Sequence, residues 1–334
     1  MLNIRKTKSK KLKWGIAGLG RFAENSFIPA LSHLRRSSFV SVYSSDEKRA
    51  KEIADKFGLS NYFSSYDDFL KSDIDVVYVS SANHNHYEQV IKAAKAGKHI
   101  LCEKPMAINA AQAEEMVKVC EENKVQLAVN YVFRFHPLIV KAKELLDNQK
   151  IGKLISVQVN FNIDFPPGNN FRNVKEKGGG SLYDLGTHLI DLLRFFGGEI
   201  SAISGVLDNL IYKSDVDDFA SAIVKFKKTG YGYFNVSFNG KRAFNRIDIL
   251  GHSGAISIEN LIGVKHHPAK ITILHEGEAK KTFMKRANKL VLLLKSVQKS
   301  FIDNQAPAIT GYDGLINLKL MEELERNNPF TKVL

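Results

Sequence analysis

Cysteine is almost absent from the sequence: Cys102 and Cys120 are the only two, with neither CxxC spacing nor a disulfide framework. That excludes a disulfide-dense secreted scaffold and predicts a reducing, cytoplasmic setting. Long hydrophobic runs are missing too. The densest, "LVLLL" at 290–294, is flanked by charge and falls far short of the roughly 20 residues a membrane helix needs, so no membrane partner is expected. The segment "MLNIRKTKSKKLKW" is basic but has no apolar stretch behind it, so it does not read as a secretory signal. Acids are scarce as well: 35 Asp and Glu stand against 48 Lys and Arg, for a net charge of +13. The surplus sits in two places. Residues 1–13 carry Arg5, Lys6, Lys8, Lys10, Lys11 and Lys13 without an acid, and residues 263–299 carry nine cations against Glu276 and Glu278. No nucleic-acid-binding motif accompanies either stretch, so both read as solvated surface and no nucleic-acid partner is expected. The basic tail precedes the first strand pattern and is expected to be dispensable for turnover.

What is present is an ordinary globular composition, 44% hydrophobic and 25% charged, in 334 residues. That length suffices for two domains with sizeable cores. "WGIAG" (14–18), "FVSVYS" (39–44), "DVVYVS" (75–80), "KHILCE" (98–103) and "VQLAVN" (125–130) read as strands. Helical patterns lie between them near 22–36, 46–57, 84–96 and 109–122. The alternation predicts βαβ units and a parallel sheet covered on both faces over residues 12–130. After a helix at 137–147 the character changes. Segments 151–164, 200–210, 218–227, 230–239 and 243–250 alternate with period two. They predict an α+β domain over 131–334 whose mostly antiparallel sheet has one packed and one solvated face. A helix near 180–196 interrupts them, its Leu182, Leu185, Leu189, Leu192 and Phe196 forming a buried stripe. Helices near 288–303 and 312–326 close the chain.

The first strand runs directly into "GLGRFA" and then a helix, which is the G-x-G-x-x-G/A turn of a dinucleotide-binding Rossmann domain in its required context. Gly18 permits the tight turn, Gly20 lets the backbone approach a pyrophosphate, and Ala23 lets helix and strand pack closely. Arg21 and Phe22 belong to the same candidate contact. At the end of the second strand an acid would bind a ribose 2′-hydroxyl and repel a 2′-phosphate. Here stand Ser44 and Ser45, with Asp46 beyond them and Lys48 and Arg49 behind. Two hydroxyls near cations favour NADP over NAD, and Asp46 reads as a helix cap.

The strand at 98–103 delivers Glu103, Lys104 and Pro105 to the carboxyl edge of the parallel sheet, where ligands bind in such folds. Lys104 there is either a surface lysine before a proline or a group that polarises a substrate oxygen. In "GGGSLYDLGTHLIDLLRFFGG" (178–198), Asp184 and His188 stand four apart on one helix face, which Asp191 continues. Titratable groups on a leucine-rich helix need a reason. They form a self-satisfying pair, a metal site lacking an obvious third ligand, or an acid–base histidine tuned by its neighbour.

Together "GLGRFA", "SANHNHYEQVIKAAKAGKHILCEKPMA" (81–107), "NYVFRFHP" (130–137), the 178–198 block and "TGYDGLINLKLMEEL" resemble the Gfo/Idh/MocA oxidoreductases over nearly the whole chain. The resemblance implies an NAD(P)-dependent dehydrogenase or reductase acting on the CH–OH group of a sugar, polyol or related small alcohol. It implies catalytic roles for Lys104, Asp184 and His188, and cofactor contacts from Ser81, Asn83, His86, Glu103 and Lys104. It further implies a cis Lys104–Pro105 bond, and an open sheet face used for homodimer or homotetramer contacts. No metal is expected. Lys104, Asp184 and His188, together with Arg134 and Arg172, are candidate substrate contacts, although surface or inter-strand roles remain open for the two arginines and Asn162. Three rival readings are a dihydrodiol or xylose dehydrogenase-like enzyme, served by the same residues, a nucleotide-binding regulator without chemistry, and a nucleic-acid-binding protein, argued from the charge alone.

Overall fold

Strand, glycine turn and helix set the pattern of the first half. The structure, a computed structural model, describes residues 11–166, 168, 170–261 and 268–329. The basic residues 1–10 and part of the second basic segment, 262–267, lie outside the described residues. The expected dispensability of the tail therefore has no structural counterpart.

The first unit comprises residues 1–103, 115–130 and 290–311. Its elements are β1 (Leu12–Ala17), α1 (Ile28–Leu31), β2 (Ser37–Tyr43), α2 (Glu47–Phe57), β3 (Asn61–Phe63), α3 (Tyr66–Lys71), β4 (Val76–Val79), α4 (His86–Lys95), β5 (His99–Cys102), part of α5 (Ala110–Glu122) and β6 (Leu127–Val129). The strands form one sheet in the order β3-β2-β1-β4-β5-β6, and every pair is parallel. β4 is buried at every residue, as a strand covered on both faces should be. The strand order reverses between β1 and β4, the position at which open α/β sheets leave a crevice beyond their carboxyl ends. The helix predicted near 288–303 is Lys289–Ile302, and its Phe301 stacks on Trp14 and His99 in the core of this unit. Gln298 continues a buried chain from it, accepting from Ser37, which in turn accepts from the Trp14 indole.

The second unit comprises residues 104–114, 131–289 and 312–334. α6 (Pro137–Asp147) precedes β7 (Leu154–Asp164), and α7 (Thr187–Gly197) precedes β8 (Ile200–Asp208), β9 (Phe219–Phe226), β10 (Tyr231–Ser237), β11 (Asn239–Gly251), β12 (Gly254–Glu259), β13 (Ala269–His275) and β14 (Lys281–Lys285). Of the two helices that follow in the chain, α8 (Lys289–Ile302) belongs from Leu290 onward to the first unit, and α9 (Gly311–Arg326) from Tyr312 onward to the second. The eight strands run in the order β14-β13-β12-β11-β7-β10-β9-β8. Only β7 and β10 pair in parallel; the other pairs are antiparallel. Apolar residues at alternate positions, such as Val157, Val159, Phe161, Ile247 and Ile249, are buried. α7 packs across β7 and β10 with Leu189, Ile190, Leu192 and Leu193 buried. The opposite face keeps Ile223, Tyr231, Tyr233, Leu250 and Leu274 exposed. Among the described residues no helix is long and apolar enough to cross a membrane.

Candidate active site

In the first unit the glycine turn is held by backbone. The Gly18 N–H donates to the Tyr43 carbonyl at the end of β2, and the Ser80 hydroxyl at the end of β4 donates to the Gly18 carbonyl. Gly18 has φ +93°, and a Cβ on it would stand 2.3 Å from the Ser81 backbone nitrogen, so no side chain fits. Gly20 is the opposite case: a Cβ there would meet nothing within 4 Å. That open space, beside the start of the helical residues 21–31, is what a pyrophosphate approaching the backbone requires. Arg21 and Phe22 are exposed around it, while Ala23 is buried. Gly20→Val is expected to weaken dinucleotide binding at least about tenfold through this lost approach. Fluorescence titration with NADPH on a variant of unchanged circular dichroism checks it, and unchanged affinity would remove the phosphate site from this turn.

Beyond β2 the acid is already occupied. Asp46 caps α2, accepting the Arg49 N–H at 3.2 Å, and its own N–H donates to Ser44 Oγ. Arg49 is spent on the turn: its guanidinium donates to the Leu19 carbonyl and to Glu24 and Glu52. Ser45 and Lys48 remain exposed. Beyond β4, His86 is fully buried and its Nε2 lies 3.1 Å from the Ser81 carbonyl. The Ser81 hydroxyl donates to Gln89, and Asn83 is buried in the turn before α4. These bonds shape the loop after β4. Glu103, ending β5, accepts from the Tyr78 hydroxyl and from Asn130. Neither partner was singled out by sequence reasoning, though Asn130 opens the quoted "NYVFRFHP" block.

The second unit holds a compact charged cluster. Lys104 precedes Pro105 across a cis peptide bond, as expected, and its ammonium donates to both the Asp184 carboxylate, at 3.0 Å, and the Asp184 carbonyl, at 2.5 Å. That carbonyl lies in a widened helical turn, Leu182–Gly186, ahead of α7, and such turns loosen the regular backbone pattern at functional positions. Arg172, stacked on Phe171, adds a second contact to the same carboxylate at 3.1 Å. Burial raises the Asp184 carboxyl, but Lys104 and Arg172 overcome it and hold the pKa well below the usual carboxylate range.

His188 is buried at 6% exposure, edge-on to Phe133 and Tyr131. Burial pushes its pKa well below the ordinary histidine value, and Lys104 and Lys289 push the same way against Asp184. The imidazole is therefore neutral at pH 7. Its Nδ1 has no hydrogen-bond partner among the described residues. Of the readings the sequence left open, the self-satisfying Asp184–His188 pair is not formed: the carboxylate bonds to Lys104 and Arg172. Aromatic neighbours confine the ring instead. Tyr131, whose hydroxyl bonds Thr187 at 2.8 Å, was not foreseen.

Asp191 also departs from expectation. Arg134 grips it with two bonds, at 2.8 and 2.6 Å, and reaches Asp313 as well. With the Arg134 side chain only 13% exposed, the pair is a packing device joining α7 to the 132–135 turn, so Arg134 is not a free substrate contact. Arg172, at 37%, is more open to solvent. Asn162 lies on β7, paired with Ser237 and Phe244 across the sheet. No group of three metal-ligating side chains occurs among the described residues.

Residues 12–131 match the family described as "Oxidoreductase family, NAD-binding Rossmann fold", and 139–257 match the "GFO/IDH/MocA C-terminal domain". The chain is 31% identical over 258 residues to mouse trans-1,2-dihydrobenzene-1,2-diol dehydrogenase, covering 75% of each protein. It is 27% identical to 1,5-anhydro-D-fructose reductase of Ensifer adhaerens, over 92% of this chain and 93% of that one. The crystal structure of aldose-aldose oxidoreductase from Caulobacter crescentus superposes with a TM-score of 0.88 at 23% identity, over 95% of this chain and 97% of that one. This chain belongs to the Gfo/Idh/MocA oxidoreductases, and is an NAD(P)-binding enzyme of that family.

Proposed function

We propose that the protein moves hydride reversibly between a nicotinamide and the CH–OH carbon of a sugar, polyol or related small alcohol, with NADP the preferred coenzyme. One observation carries this reading: an ammonium anchored on an ionised carboxylate stands within electrostatic reach of a neutral, unpartnered histidine. When bound, the nicotinamide supplies or takes the hydride. The chain supplies the rest. In the oxidation direction His188 takes the hydroxyl proton on its imidazole, Lys104 stabilises the alkoxide oxygen, and Asp184 fixes the Lys104 ammonium. Gly18, Gly20, Arg21, Phe22 and Ala23 would hold the pyrophosphate, with Ser81, Asn83, His86 and Glu103 shaping the nicotinamide end. The names of the relatives favour sugars and dihydrodiols as substrates. A screen of sugars, polyols, dihydrodiols and their carbonyl forms with both coenzymes, followed by absorbance of the reduced nicotinamide, tests the proposal. Coenzyme binding without turnover of any of them would support a regulator instead.

The coenzyme preference rests on Ser44, Ser45 and exposed Lys48, since Asp46 and Arg49 are engaged elsewhere. Ser44→Asp is expected to weaken NADP binding by about 1–3 kcal/mol, the scale of a lost polar contact at a charged group. Tighter binding of NAD than NADP by the unaltered protein would overturn this reading. The exposed Tyr231, Tyr233, Ile223, Leu250 and Leu274 on one sheet face suit a homodimer or homotetramer contact. Both cysteines are buried and unbridged, which fits a cytoplasmic protein.

A further inference from the structure

Lys289 is a cation placed against the rules of charge. It is the first residue of a helix, where the backbone already carries partial positive charge. Its side chain is half-buried, with Nζ 5.1 Å above the Phe133 ring. Burial alone depresses its pKa, with no carboxylate opposing, and no hydrogen bond or ion pair engages it among the described residues. Every Asp and Glu of the chain is among those residues, so no acidic side chain elsewhere is left to neutralise it. Among the described residues its charge acts on His188 and His136, and His136 accepts the Leu138 N–H at Nδ1.

The same Phe133 ring lies 4.6 Å, centre to centre, from the His188 imidazole. The ammonium is thus within about 10 Å of the proposed base. Of the charges that act on that base, Lys104 and Lys289 disfavour its protonation and Asp184 favours it. An apolar side chain would fill the Lys289 position at less cost than a desolvated, unpaired charge. Among the described residues no carboxylate acts on Lys289, so a counter-charge for it would come with a bound molecule.

We propose that Lys289 is a substrate-selecting residue that holds an anionic group, carboxylate or phosphate, on a sugar whose reacting hydroxyl lies at Lys104 and His188. The inference rests on the hydride-transfer reading above and narrows its substrates to acidic sugars. The test compares kcat/KM for D-glucose, D-galactose and D-xylose with that for D-glucuronate, D-galacturonate and the corresponding sugar phosphates, separating the two anion sources. Full-length protein, Lys289→Met and Lys289→Arg are assayed with NADP. The unaltered protein is expected to favour acidic members. Lys289→Met should lower that preference by about tenfold or more, as loss of a charge-assisted bond does, and Lys289→Arg should restore part of it. Equal treatment of acidic and neutral members by the unaltered protein, or equal loss on both in Lys289→Met, would overturn the inference.

Thermal unfolding supplies a readout independent of turnover. D-Glucuronate or D-glucose 6-phosphate should raise Tm of the NADP-bound unaltered protein but not of Lys289→Met. Ligand-free Lys289→Met should melt no lower than the unaltered protein, because a half-buried charge without an acidic partner has been removed. If no sugar turns over but this pattern holds, the anion site stands and the hydride-transfer reading falls. Absence of any anion shift, or a lower Tm in the ligand-free variant, overturns the anion site itself.

Discussion

Lys104→Met is expected to lower kcat by at least about 10²-fold while leaving NADPH affinity close to its original value. The stem volume is kept and the charge removed, so what is lost is the cation that would meet a developing alkoxide. The variant also leaves the buried Asp184 carboxylate with Arg172 as its remaining ionic partner. Breaking a buried pair costs about 3–5 kcal/mol when one charge is stranded, so the retained arginine makes the stability loss smaller. Stability and chemistry are separated by a second change. Lys104→Met with Asp184→Asn removes both charges, and Tm should recover part of its loss while kcat stays low. Steady-state kinetics on the best substrate of the screen, with Tm from circular dichroism, decides the matter. A single variant within about tenfold of normal turnover would make Lys104 a structural partner of Asp184 and nothing more.

The residues that made Lys104 visible in the sequence differ from those that hold it in space. The strand pattern and "GLGRFA" are local, and β1, β2, β4, β5 and β6 lie where alternation predicts them. β3 spans only Asn61–Phe63, too short to show a period. β13 and β14 fall in the basic segment, where lysine breaks the alternation that buries Ile271, and β12, whose Ile256 and Ile258 are buried, is only six residues long. Helix spacing sets Asp184 and His188 on one helix face but leaves Asp184's partner open. Lys104 lies 80 residues from it, and Arg134 lies 57 from Asp191. Such pairings depend on tertiary packing, which no local period encodes. The same limit hid Lys289, which reads as one more lysine in a charged stretch until Phe133 is seen beneath it.

His188→Asn is expected to lower kcat/KM by about 10²-fold or more and to remove the acidic limb of its pH profile. In the unaltered protein that limb should lie well below the ordinary histidine range, because burial and the nearby Lys104 and Lys289 ammoniums disfavour the imidazolium. The same shift predicts a stability effect that needs no substrate. An unfolded histidine takes up a proton near pH 6.5, whereas the folded His188 does not. The unfolded state then binds more protons as pH falls, so stability is constant above that value and declines below it. His136, held down to about 4 chiefly by burial and also by Lys289, adds a decline in the same direction that survives the substitution. The slope of Tm against pH between about 6.5 and 5 should therefore become shallower in His188→Asn without vanishing. Near-normal turnover with the acidic limb intact would return His188 to the aromatic packing of Phe133 and Tyr131 and pass the proton to another group.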